Sequence, residues 1–187
     1  LVSGLIHAKY GYDNVGFHMG SEEITIDLNG LLEWEDLLEI EKKANRIIWE
    51  NREVYAGFPS AEELEKIDYR SKKELSGEIR IVSIPGGDTC ACCGTHVKTT
   101  GEIGLVKFLS MIHYKGGVRI SLLCGEKAVR DYEKKRDELQ KISVLLSAKA
   151  GKTADAVDKM KNELMMTQAK LSEMSRKLMK IEADQLE

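Results

Sequence analysis

The spacing of apolar residues changes along the chain, and each spacing predicts a different element. Residues 24–28 (ITIDL) alternate apolar and polar side chains, which predicts a strand with one buried face. Residues 35–52 carry apolar side chains at helical intervals, which predicts an amphipathic helix. Strands are also predicted at 15–19, 77–84, 106–112 and 118–123, the end of a helix at 1–10, and a short capped helix after Ser60. We expect an α+β fold with an antiparallel sheet and packed helices.

After Gly125 the pattern becomes helical throughout. One helix is predicted to about residue 148, followed by a break near Gly151 and a second helix. The second helix repeats at three- and four-residue steps through Val157, Met160, Leu164, Thr167, Leu171, Met174, Leu178 and Ile181. Such spacing is typical of a heptad seam. We expect residues 1–128 to form one domain, and 129–187 a helical hairpin or coiled-coil arm that leads to a further domain and pairs two chains as a homodimer.

Composition narrows the functional class only slightly. The chain has 187 residues, 32% of them charged, with a net charge of −3, so its total charge gives no argument for nucleic-acid binding. No apolar run reaches the about 18 residues of a membrane helix, and no signal segment opens the chain. Three of the four cysteines are bunched, unlike a disulfide framework, which favours a reduced, cytoplasmic protein. Because the sequence starts at Leu1 and ends within a predicted helix, we expect it to be part of a longer protein.

The most informative segment is TCACCGTHVKTTGEIG, residues 89–104, predicted to lie in a loop between two strands. Cys92 and His96 form a Cys-x-x-x-His pair, and thiolate and imidazole are ligands that zinc prefers. Two ligands cannot hold zinc, so the others must come from elsewhere. Buried structural cysteines with a turn-capping histidine remain an alternative. A cysteine nucleophile is less favoured, because no Asn or Asp stands in a recognisable third position.

The order of motifs resembles the editing domain of alanyl-tRNA synthetases and the free-standing AlaX proteins. That family carries an Asp, then Cys-Gly-Gly-Thr-His, then Thr-Gly-Glu/Asp-Ile-Gly, which residues 88–104 follow closely. Residues 15–20 and 24–28 are similar to its first strands, 40–51 to its helix, and 117–128 to its last strand and linker helix. Two features depart from the pattern: Cys93 replaces a glycine, and the family's His-x-x-x-His motif is absent. The resemblance places those two histidines just upstream of Leu1.

The resemblance implies zinc-dependent hydrolysis of mischarged seryl- or glycyl-tRNA(Ala), with the tRNA acceptor end as partner. It implies Cys92 and His96 as metal ligands, with Asp88 or a backbone carbonyl orienting His96. His18 and Thr95 are predicted to contact the substrate. Two alternatives stay open: an editing part of a complete ATP-dependent alanyl-tRNA synthetase, although no phosphate-binding loop or adenylate-forming motif is present, and a non-catalytic tRNA-binding or dimerisation module.

Overall fold

The computed structural model describes residues 1–71 and 77–184, in two compact units, Leu1–Asp131 and Tyr132–Glu187. The first unit begins with helix α1 (Val2–Tyr10), strands β1 (Asn14–Met19) and β2 (Ile24–Leu28), and helix α2 (Trp34–Trp49). It continues with β3 (Tyr55–Gly57), α3 (Ala61–Leu64), β4 (Ile81–Ile84), β5 (Asp88–Ala91), a 3-10 turn (Thr100–Ile103), β6 (Val106–Tyr114) and β7 (Gly117–Cys124). Helices α4 (Glu126–Leu145) and α5 (Thr153–Asp184) follow.

The strands form two antiparallel sheets. The larger has the order β1-β2-β7-β6, and the smaller has the order β3-β4-β5. Strands β6 and β7 form the predicted hairpin, whose two turn residues, Lys115 and Gly116, have φ of 47° and 81°. Two positive φ angles in a two-residue turn match the twist of the strands it joins. The predicted α+β class with antiparallel sheets and packed helices is confirmed.

A single hydrophobic core joins the larger sheet to helices α1 and α2. Helix α2 has its apolar residues at helical spacing, so one stripe is buried and the opposite side stays polar. The core residues of α2 are Leu37, Ile40, Ala44, Ile47 and Ile48, and those of β2 and β7 are Ile26, Leu28, Val118, Ile120 and Leu122. Glycine 11 ends α1 in the left-handed conformation, at φ 71°, as predicted for the helix stop.

Polar side chains of α2 also fix the segment that leads into β6. The buried Asn45 amide donates to the Val106 carbonyl at 2.7 Å and accepts from the Val106 N–H at 2.8 Å. Thr100, which is fully buried, donates to the Ile47 carbonyl at 2.7 Å and accepts from the Arg52 N–H at 2.9 Å. We call these contacts of Asn45 and Thr100 the α2 latch. The Thr-Gly-Glu-Ile-Gly motif, residues 100–104, is thus held as a structural connection.

Several element boundaries differ from the predictions. Helix α2 ends at Trp49 rather than residue 52, because Asn51 has a φ of 50° and its side chain accepts from the Gly101 N–H. The predicted strand at 77–84 begins only at Ile81. Strands β3 and β5 were not predicted. Because β5 contains Cys90, the cysteine cluster starts on a strand edge rather than wholly in a loop.

The second unit contains the predicted break and the long second helix. Gly151 has a φ of 73°, and Ser143 and Thr153 hydroxyls lie 2.6 Å apart across the connection. The seven apolar seam residues of α5 nevertheless remain between 40% and 64% exposed. Tyr132, Leu139 and Ile142 of α4 are exposed as well. A helical hairpin or coiled-coil arm was predicted here, and the two helices do not bury these apolar side chains against each other.

Replacing Asn45 by alanine tests the α2 latch. The variant leaves the buried N–H and C=O of Val106 without partners, and each such loss costs about 1–3 kcal/mol. We expect the free energy of unfolding to fall by about 2–4 kcal/mol in urea titrations. Arg46→Ala, at an exposed neighbouring position of the same helix, is the control and should change it by less than about 0.5 kcal/mol. Equal effects of the two variants would show that the latch adds no stability.

Candidate functional site

The clustered cysteines and His96 line one cavity of about 430 Å³ in the first unit. Helix α1 supplies its first residues, and β1 supplies two side chains. The opposite wall comes from β5 and the residues that follow it. The lining residues include Leu1, Ser3, Asn14, Phe17, Arg70, Asp88, Cys90, Cys92, Cys93 and His96. The structure therefore brings the two predicted metal ligands, Cys92 and His96, to the same cavity.

The hydrogen bond of His96 defines which ring nitrogen is available. Its Nδ1 lies 3.0 Å from the Gly94 carbonyl oxygen. A carbonyl oxygen can only accept, so Nδ1 carries the proton and Nε2 is the basic nitrogen. Ligand histidines of metal sites have this arrangement, with one nitrogen on a backbone carbonyl and the other on the metal. The donor chemistry of Cys92 and His96 thus fits zinc, although no group of three metal-binding side chains occurs within residues 1–71 and 77–184.

Asp88 does not contact His96, because its carboxylate is bound by Arg70. The guanidinium donates from Nε at 3.0 Å and from Nη2 at 2.7 Å, one bond to each carboxylate oxygen. The Asp88 side chain is 7% exposed, and this hydrogen bonding raises the pKa of Arg70 above its usual value. A Cβ at Gly4 would lie 2.1 Å from the Asp88 carboxyl carbon, so α1 approaches β5 only because residue 4 is glycine. The ion pair forms a wall of the cavity.

The three clustered thiols differ in their surroundings. Cys90 lies on β5, and burial raises the pKa of its thiol, with the nearby Asp88 and Cys92 charges adding to the shift. A raised thiol pKa favours the protonated form of Cys90, which is the less nucleophilic form. Cys92 is partly buried, whereas Cys93 is exposed. Among these thiols, Cys92 combines the ligand spacing to His96 with partial shielding from solvent.

Strand β1 presents Phe17 rather than His18 to the cavity. Its pairing with β2 is irregular between Asn14 and Gly16, so Asn14 and Phe17 pair with Leu28 and Ile26 and share their face. His18 pairs with Thr25 on the opposite face and is exposed. Thr95 is exposed too, and neither residue lines the cavity. The sequence of β1 alone gives no sign of this irregular pairing, so Asn14 and Phe17 were not predicted to line the cavity.

Comparison with known proteins identifies the class of domain. Residues 79–142 match the family described as "Threonyl and Alanyl tRNA synthetase second additional domain". The alanine–tRNA ligase of Pyrococcus furiosus is 34% identical over 158 residues, which is 82% of this chain and 17% of that protein. The alanyl-tRNA editing protein AlaX-L of Pyrococcus horikoshii is 30% identical over 134 residues, covering 69% of this chain and 33% of the relative. The alanyl-tRNA editing protein Aarsd1-A of Xenopus laevis is 27% identical over 173 residues, which is 90% of this chain and 42% of that protein.

The sequence matches point to one class, a second additional domain of the kind shared by threonyl- and alanyl-tRNA synthetases. Within that class the chain belongs to the alanyl branch and carries an AlaX-type editing domain. It spans about a sixth of the alanine–tRNA ligases and about two fifths of the Xenopus editing protein. In the part of the chain that the structure describes, no helix is long and apolar enough to cross a membrane.

Proposed function

We propose that this domain hydrolyses the ester bond of seryl- or glycyl-tRNA(Ala) and so proofreads alanine incorporation in the cytoplasm. One observation carries the proposal: Cys92 and His96 line the same cavity, in a chain whose relatives include proteins named as alanyl-tRNA editing proteins. The cavity volume, about 430 Å³, is of the size that accepts a small ligand group. An aminoacyl group at the end of a tRNA is such a group.

Selectivity against alanine follows from hydrogen bonding. Serine exceeds alanine by one hydroxyl, and an apolar synthetic pocket rejects such a molecule only weakly. A hydrolytic site that binds the hydroxyl with a polar group discriminates more strongly, because alanine leaves that group unpaired. Asn14, whose side-chain amide donates to the Ser3 hydroxyl at 2.8 Å, and Ser3 itself are polar residues in the cavity wall. They would contact a substrate hydroxyl there.

Zinc is the cofactor that the donor set supports. Bound zinc would polarise the ester carbonyl and lower the pKa of an attacking water. Cys92 would bind it through its thiolate and His96 through Nε2, while the Gly94 carbonyl keeps the His96 Nδ1 protonated. Cys92 and His96 would supply two of the four ligands of a tetrahedral zinc site, and the family resemblance implies histidines as the other two.

The second candidate is the same hydrolysis performed within a complete alanine–tRNA ligase. The 34% identity to the Pyrococcus furiosus enzyme favours it, since the chain would then form one segment of a much longer protein. A third candidate is a non-catalytic tRNA-binding or dimerisation module. The presence of both Cys92 and His96 in one cavity argues against an editing site that has lost its function.

Removing the thiolate tests the proposed activity. In the full-length protein we expect Cys92→Ala to lose stoichiometric zinc and at least about 100-fold of seryl-tRNA(Ala) deacylation, because a zinc ligand is missing. Cys124→Ala is the matched control, since Cys124 lies at the end of β7 and does not line the cavity. Zinc content is measured by atomic emission, and deacylation by release of radiolabelled serine. Unchanged zinc in Cys92→Ala would exclude the ligand assignment.

The predicted substrate contacts of His18 and Thr95 remain proposals. Both residues are exposed and do not line the cavity, so a bound tRNA end would contact them at or beyond the rim of the cavity. We expect His18→Ala to slow deacylation of the serine ester about tenfold and to leave zinc occupancy unchanged. An effect of about tenfold corresponds to the loss of one hydrogen bond to the substrate. Phe17→Ala, at the neighbouring position of β1 that does line the cavity, is measured in the same assay for comparison with His18→Ala. Wild-type rate and wild-type selectivity over alanyl-tRNA in His18→Ala would remove His18 from the site.

We also propose that α5 pairs two chains. Its seam is exposed over the whole helix, and seven apolar side chains at heptad spacing are not stable in water unless a partner covers them. A second copy is the partner that fits, because the same chain supplies an identical seam. Flanking charges of both signs, among them Glu163, Lys170 and Lys177, allow ion pairs beside such a seam.

Charge placed on the seam should separate the copies. We expect the double variant Leu164→Glu/Leu171→Glu, and deletion of residues 151–187, to convert dimers to monomers in sedimentation experiments, with zinc binding retained. Asn162→Glu/Ala169→Glu adds the same charges at positions outside the seam and should leave dimers intact. An unchanged oligomeric state in the seam variant would contradict pairing through α5.

A further inference from the structure

Arg80 contacts the backbone on both sides of the turn that carries Cys92. Its Nη1 donates to the Cys92 carbonyl at 2.9 Å and to the Gly94 carbonyl at 2.9 Å. In return, the Arg80 carbonyl accepts from the Cys92 N–H at 3.1 Å. One residue therefore binds Cys92 through both its main chain and its side chain. The carbonyls of Cys92 and Gly94 converge on a single guanidinium nitrogen, which defines the path of the chain as it leaves β5.

The backbone of Arg80 is itself held by the smaller sheet. Arg80 immediately precedes β4, the central strand, and Ile81 pairs with Ala91 of β5. The bond between the Arg80 carbonyl and the Cys92 N–H extends that ladder by one residue. The guanidinium thus reaches the turn from a strand with partners on both sides. Side-chain donors on a rigid strand position their acceptors more accurately than donors on a loop.

The Gly94 carbonyl connects Arg80 to His96. It accepts from Arg80 Nη1 at 2.9 Å, and the His96 ring lies 3.0 Å from it through Nδ1. A carbonyl oxygen has two lone pairs, so both donors can bind it together. The same guanidinium nitrogen therefore contacts the backbone of one predicted ligand, Cys92, and the carbonyl that the ring of the other, His96, also contacts.

We propose that Arg80 is the positioning residue of the Cys92–His96 pair: it holds the 92–94 turn and keeps His96 in the Nδ1–H form, with Nε2 basic. This inference rests on the proposed function for its biological meaning, but its geometry does not depend on bound metal. A surface arginine that only attracts tRNA phosphates would have no effect on the ring of His96. The two roles therefore give different results in metal-free protein.

The test is ¹⁵N NMR of the histidine rings in metal-free, full-length protein at mildly alkaline pH. We expect wild-type His96 to show the Nδ1–H tautomer, although free histidine favours Nε2–H. Arg80→Met keeps the apolar stem but removes the donors, and it should shift His96 toward Nε2–H. Arg80→Lys, whose ammonium has three donors, should retain the wild-type tautomer at least in part.

The controls separate positioning from general destabilisation. His7, His18 and His113 are internal references whose tautomers should not change, and Arg46→Ala removes an exposed arginine elsewhere. In zinc competition with a chromophoric chelator, Arg80→Met should bind about 10–100-fold more weakly than wild type. A wild-type His96 in the Nε2–H form, or an Nδ1–H form that persists in Arg80→Met, would overturn the inference. If the tautomer shifts as expected but wild type binds no zinc, Arg80 is a positioning residue and the proposed function fails.

Discussion

The pairing of the Asn45 amide with the backbone of Val106 is the contact on which the arrangement of the first unit depends. A buried amide that donates and accepts at the same residue fixes both the position and the rotation of β6 relative to α2. Thr100 adds a second connection two residues further along the helix, at the Ile47 carbonyl. Because β6 pairs with β7, and β7 with β2, this contact sets how α2 lies on the larger sheet and where the chain enters it.

A different set of contacts in the first unit, between α1 and β5, forms the cavity. Helix α1 approaches β5 through Gly4 and Asp88, and the Arg70–Asp88 ion pair closes the wall between them. Replacing one partner of such a partly buried pair leaves a charge without compensation, which costs more than the pair itself contributes. Beyond β5, Arg80 and the Gly94 carbonyl determine how Cys92 and His96 are presented. The charged side chains of Arg70, Asp88 and Arg80 thus hold the cavity wall and the turn in place. The Cys92 thiol and the His96 imidazole nitrogen Nε2 are not used in these contacts.

Local patterns in the sequence were sufficient for elements that depend on local physics. The alternation in β2, the helical stripe of α2 and the capping box at Ser60 all appear in the structure. Two features could not be predicted from local sequence. The irregularity in β1 depends on its pairing with β2, and β5 is too short and polar to show a strand pattern. The spacing of Cys92 and His96 pointed to the candidate cavity, which both residues line, whereas Phe17 and Arg70 enter it only through tertiary contacts. The seam of α5 was visible, but its periodicity alone could not show that α4 leaves it uncovered.

The central claim is that the cavity binds zinc through one thiolate and at least one imidazole. X-ray absorption at the zinc edge, on full-length protein loaded with one equivalent of zinc, measures these ligands directly. The account predicts one sulfur neighbour at about 2.3 Å and nitrogen neighbours at about 2.0–2.1 Å, and loss of the sulfur signal in Cys92→Ala. A spectrum fitted entirely by oxygen and nitrogen in the wild-type protein would contradict it.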